Sequence, residues 1–209
     1  VLERDLGPKQ VRYDSHHELA YLHPEFYTPD PGIREWLKVA PDEPYAILRF
    51  VSWNATHDVG LKGLSMDQKV ELVRELSGRM KVFITAERGV PPALAGHALK
   101  IPPERFHHAL RYARVVVTEG TTTGAEAAIL GVPVVFVSTY RAAHLHEMEG
   151  FGLVRNTTNG RDAFAALEAM LATDPAAYRD RAATFIASKE NATRFYHRFI
   201  REKYMRQGA

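Results

Sequence analysis

The stretch VVVTEGTTTGAEAAILGVPVVFVS (residues 115–138) decides the fold of this 209-residue chain. Its two apolar runs, VVV and VVFV, show no alternation with polar residues. That pattern belongs to strands covered on both faces. Between them, Gly120 permits a tight turn. The run 122–130 has helix-forming composition, and Gly131 supplies the residue that closes a helix. A strand, a short helix and a second strand in so few residues make one parallel crossover unit.

The same alternation extends outward in both directions. Upstream, AILRFV (46–51) and KVFITA (81–86) predict strands. Residues 65–77 place Met66, Val70, Val73 and Leu76 at helical spacing behind Ser65, a suitable N-cap. A short third strand is expected at 98–101, then a helix over 103–113 that opens with Pro and Glu. Downstream, the pattern predicts a short sixth strand at 152–154 and helices over 162–171, 175–188 and 192–205. The fold class is therefore α/β: a doubly wound, Rossmann-like parallel sheet with helices on both faces. Ligands of such sheets bind at the carboxyl ends of the strands. The loops to inspect are thus 52–64, 87–92, 119–123 and 139–147.

Residues 1–44 are different. Six prolines punctuate them and no period is sustained, apart from a short helix expected at 32–39. A structureless stretch of this length is unusual inside a compact domain. Residues 1–44 are therefore expected to be a connector and the tail of a preceding domain, 45–188 the nucleotide-binding domain, and 189–209 a terminal helix. Residue 1 is Val, consistent with a start inside a longer protein.

Composition excludes several classes. The net charge is only +2, so no strongly basic surface for nucleic acid is expected. The basic stretch 194–206 is interleaved with aromatics and reads as one amphipathic helix. There is no cysteine, hence no disulfide and no thiolate metal site. No apolar run is long enough for a membrane span, and the first residues do not read as a signal peptide, so a cytoplasmic protein is expected. The 52–58 loop lacks the glycine fingerprint of dinucleotide sites, and no cofactor is expected.

The 119–126 segment carries the candidate chemistry. Thr121, Thr122 and Thr123 bring hydroxyls and unpaired amides to a helix start, which suits a diphosphate. Gly124 and Ala125 keep the first turn slim enough for a ligand to lie against it. Glu126 sits about one turn further on and points back toward that end, where a carboxylate can accept hydrogen bonds from a ribose diol. The same residues also serve as ordinary caps and a favourable early acid. His144 and His146, with Glu147 and Glu149 nearby, invite a metal reading, but no third ligand is evident and no metal is expected. Arg49, within a strand, suits a buried ion pair as well as a phosphate.

Residues 115–138 resemble the nucleotide-binding element in the C-terminal domain of GT-B-fold sugar-nucleotide enzymes. These include the glycosyltransferase that adds N-acetylglucosamine to lipid I, and the UDP-N-acetylglucosamine 2-epimerases. Glu126 falls at the ribose-binding Glu of that element, Gly131 and Pro133 at its Gly-x-Pro turn, and Gly120 at a loop glycine. Glu119 departs from the Ser or Asp–Ser often found there. The likeness extends from Tyr13 onward to a group of GT-B-like proteins of unassigned reaction, through YDSHHELAYLHPEFYTPDP (13–31), ILRFVSWNATHDVG (47–60) and KIPPERFHHALRYARVVVTEG (100–120).

The resemblance implies a nucleotide diphosphate sugar, UDP-linked, as ligand. It also implies an N-terminal domain that supplies the acceptor side, and a last helix that crosses back to it. Ser52, Asn54 and His57 would lie beside the donor phosphates and sugar, His107 or His108 near the base, and Arg141, His144 and Glu147 near the donor sugar. His16, His17 and Glu18 would line the interdomain cleft. Glycosyl transfer by the whole protein is the expected activity. A 2-epimerase relative and a nucleotide-binding or interaction module without chemistry are the alternatives. No catalytic base is assigned.

Overall fold

The computed structural model describes residues 6–51 and 62–205. The strands are β1 (Tyr45–Phe50), β2 (Lys81–Ala86), β3 (Val115–Thr118), β4 (Val134–Val137) and β5 (Val154–Thr157). They pair in parallel in the order β2-β1-β3-β4-β5. Side chains alternate across such a sheet. Accordingly Tyr45 and Ile47 of β1 face one hydrophobic layer, and Ala46, Leu48 and Phe50 face the other. Nearly every residue of β1, β3 and β4 is buried, as uninterrupted apolar runs require.

The first layer holds α1 (Leu19–Leu22), α2 (Ile33–Leu37), α4 (Phe106–Arg111), α5 (Thr121–Ile129), α6 (Ala143–Gly150) and α8 (Pro175–Ala187). The second layer holds α3 (Met66–Ser77) and α7 (Gly160–Leu171). The sheet is thus doubly wound. Ser65 caps α3 through a full capping box with Gln68. Asn159, Asp174 and Asn191 cap α7, α8 and α9 (Ala192–Ile200) in the same side-chain manner.

Three expectations need correction. The strand expected at 98–101 is reduced to one parallel bridge, Ile84 to Ala98, held by the Leu99 N–H on the Ile84 carbonyl at 2.8 Å. Pro102 and Pro103 follow and donate no hydrogen bond, so the ladder stops there. The strand expected at 152–154 begins only at Val154, because Gly152, with φ at 71°, is spent on ending α6. Most of the 139–147 loop is helix: α6 starts at Ala143.

Residues 13–44 lie against the first layer. Leu19, Leu22, Ile33 and Leu37 are buried in it. Burial of such side chains stabilises by about 1.5–3 kcal/mol each, enough to hold the segment on the domain. Tyr13 of this segment stacks on Phe195 of α9, with ring centroids 4.8 Å apart. His16 is buried and hydrogen-bonded to Glu147 at 2.9 Å; Lys189 joins Glu147 at 2.5 Å and Asp14 at 2.7 Å.

Candidate functional site

The strand order reverses between β1 and β3, with β2 on one flank and β4 on the other. This is the switch point at which doubly wound sheets open a crevice. Glu119 stands there, immediately after β3, with its side chain only 1% exposed. Its carboxylate accepts the N–H of Val51 at 2.9 Å and that of Leu64 at 2.8 Å, and pairs with Lys69 at 3.1 Å. Thr139 adds a second tie, exchanging hydrogen bonds with the Lys62 backbone. Glu119 therefore belongs to the framework: it holds both ends of the segment joining β1 to α3. Ser52, Asn54 and His57, in that segment, lie outside the described residues. Arg49 reaches Thr85 at 2.6 Å and Glu87 at 3.9 Å.

Beside Glu119, α5 begins. Gly120 is its N-cap, extended at φ −98° and ψ 130°, and no side chain caps the helix. The Thr118 hydroxyl bonds both the N–H and the carbonyl of Gly120 at 2.9 Å. Thr121, Thr122 and Thr123 are inside the first turn, so none of them acts as the cap. Their amides have no intrahelical acceptor, and no acid lies in that turn. The result is a helix start with a positive end and donors that are unspent among the described residues. A Cβ at Gly124 would meet Leu145 and Thr118 at 3.4 Å, ordinary packing distance, so this turn lies close against α6.

Glu126 is buried at 8% exposure, under a polar rim. Its Oε1 accepts from the Tyr21 hydroxyl and from His107 Nε2, each at 2.9 Å. The two rings lie 5.5 Å apart. Burial, reinforced by the Glu126 charge, holds the Tyr21 hydroxyl above its ordinary value and so keeps it a donor. Among the described residues Oε2 takes no hydrogen bond. Tyr21 was not legible as a site residue: in sequence it is one aromatic among many in 13–44. His108 turns the other way, accepting the Asp30 N–H at 3.0 Å and meeting Tyr27 at 2.9 Å; it ties down the 27–30 turn.

His144 sits half-buried on α6 near the Thr121 backbone; burial, aided by His16, lowers its pKa against the pull of Glu18. Thr121, Glu126, His107 and His144 are thus gathered around α5. Arg141 is exposed and lines a cleft of about 380 Å³ with Ser138, Tyr140, His146 and Thr157. His144 and His146 diverge because they lie on a helix; His146 is 86% exposed beside Glu149. Among the described residues no group of three metal-ligating side chains is assembled. No described helix is long and apolar enough to cross a membrane.

No protein-family model and no curated protein sequence matches the chain. Solved structures do. The spinosyn rhamnosyltransferase, in complex with spinosyn aglycone, superposes with a TM-score of 0.54 at 15% identity, over 83% of this chain and 50% of that one. The calicheamicin glycosyltransferase gives 0.51 at 20% identity, over 85% and 45%. A UDP-N-acetylglucosamine 2-epimerase gives 0.50 at 15% identity, over 79% and 43%. The chain spans half or less of the length of these proteins. It therefore has the α/β Rossmann-like fold found in one part of GT-B glycosyltransferases and UDP-N-acetylglucosamine 2-epimerases.

Proposed function

We propose that the chain binds a nucleoside diphosphate sugar, UDP-linked, at the carboxyl end of its sheet, as the donor-side half of a GT-B glycosyltransferase-like enzyme. One observation carries this: α5 opens at the switch-point crevice with three uncapped amides, and Glu126 follows on the same helix face as Thr122. Glu126 lies five positions beyond Thr121, about 7.5 Å along the axis at 1.5 Å per residue. A nucleoside diphosphate can bridge that separation, with its diphosphate on the amides and a ribose hydroxyl on Oε2. Tyr21 and His107 fix the carboxylate from its other oxygen.

In the reaction, the amides would stabilise the diphosphate as it departs from the sugar, because they point there before charge develops. The acceptor and its base would come from the other half of the protein. Calorimetric titration with UDP, UMP and uridine tests the site. UDP should bind most tightly and uridine least, since the amides read phosphate. Glu126→Gln should weaken UDP by about ten- to a hundredfold, the worth of a charged hydrogen bond. No saturable UDP binding would sink the proposal. Where UDP binds, product analysis with UDP-N-acetylglucosamine separates transfer from 2-epimerisation.

A further inference from the structure

The opposite, amino end of the sheet carries an arginine-lined cavity that the nucleotide crevice does not explain. Gly131 closes α5 at φ 74°, and a Cβ there would stand 3.0 Å from the Arg179 Cα. Glycine thus lets α8 come down onto the turn before β4, which sets Arg179 at the mouth of a cavity of about 240 Å³. Arg34, Arg111, Arg114, Arg179, Tyr112 and Asp42 line it.

The four guanidinium groups are unequally used. Arg34 donates to the carbonyls of Ala40 and Glu43, and Arg114 Nη2 to those of Leu171 and Thr173. Arg114 Nη1 is buried and has no hydrogen-bond partner among the described residues. Arg111 and Arg179 pair with no carboxylate among the described residues; Asp42, the one acid in the lining, lies beyond ion-pair distance. Burial, with the neighbouring Arg179 cation, pushes the Arg111 guanidinium below its ordinary value. A half-buried cation beside a like charge is unfavourable as it stands, and an anion between the two relieves it. Guanidinium forks match phosphate oxygens in shape as well as charge. A second cleft of about 250 Å³ adjoins, sharing Arg111, Gly131 and Arg179, and is otherwise walled by apolar groups such as Leu22, Tyr27, Ile129, Leu130 and Ile186.

We infer that this amino-end cavity is an anion site for a small organic phosphate, whose phosphate group sits between Arg111 and Arg179 and whose apolar body lies along Tyr27, Ile129 and Ile186. It is independent of the nucleotide site. Calorimetry on the full chain, with phenyl phosphate, inorganic phosphate and phenol as probes, tests it. Phenyl phosphate should bind saturably and more tightly than inorganic phosphate, and phenol should not bind. Arg111→Gln should weaken phenyl phosphate about tenfold or more, Arg179→Gln less, and Glu126→Gln not at all.

The free protein supplies a second measurement. Arg179→Gln should melt no lower than the native chain, since it removes a like charge; a merely structural arginine would lower the melting temperature. Absence of saturable phenyl phosphate binding to the native chain at millimolar concentration overturns the inference. So does binding that survives Arg111→Gln, or that is lost instead in Glu126→Gln.

Discussion

The two ends of one sheet solve opposite problems. At the carboxyl end the buried charges are carboxylates, and the protein itself answers them: Glu119 has two amides and Lys69, and Glu126 has Tyr21 and His107. At the amino end the charges are guanidinium groups, and none of the four pairs with an acid among the described residues. Both ends leave hydrogen-bond donors unspent, and the carboxyl end also leaves Glu126 Oε2. Groups that the fold satisfies build the domain; donors it leaves over are where an anion can add free energy.

That contrast can be broken by mutation. Glu119→Ala removes the partner of a largely covered lysine and of two backbone amides, so it should cost about 3–5 kcal/mol in urea unfolding. A loss under about 1 kcal/mol would show that Glu119 is not the tie. At the other end, Gly131→Ala forces a side chain into a left-handed conformation against Arg179; about 1–3 kcal/mol should be lost, together with phenyl phosphate binding. Arg179→Gln should be neutral or stabilise by about 0.2–1 kcal/mol, the scale of an exposed charge pair. A clear loss would erase the difference between the ends.

Acid sharpens the comparison from a third position. Burial opposes ionisation of Glu147, but Lys189 and His16 hold its carboxyl below the usual glutamate range. Its folded value is therefore below its unfolded one. The stability it contributes is present above the unfolded value, about 4.3, and is lost as pH falls through the depressed folded value. Urea midpoints at pH 6 and pH 3 should differ more for the native chain than for Glu147→Gln.

Much of the framework could be read from the chain because its signals are local. VVV and VVFV specify strands covered on both faces, and Ser65 and Gly131 mark helix ends where the structure has them. The misses at 98–101 and at α6 are local too: Pro102 and Pro103 directly follow 98–101 and end its ladder after a single bridge. The helical α6 was hidden by a weakly amphipathic sequence, AHLHEMEG, with no side-chain cap. At the site, Glu126 and the threonine run were visible as a helix start. Tyr21 was not, since its role depends on α1 folding over α5 from more than a hundred residues away. The arginine cavity draws on residues 34 to 179 and has no linear motif at all.

The double grip of Glu119 on Val51 and Leu64 has an evolutionary consequence. One buried carboxylate fixes Val51 at the exit of β1, Leu64 ahead of α3 and Lys69 within α3, so a change at position 119 should be tolerated in relatives only where the residue at 69 changes with it.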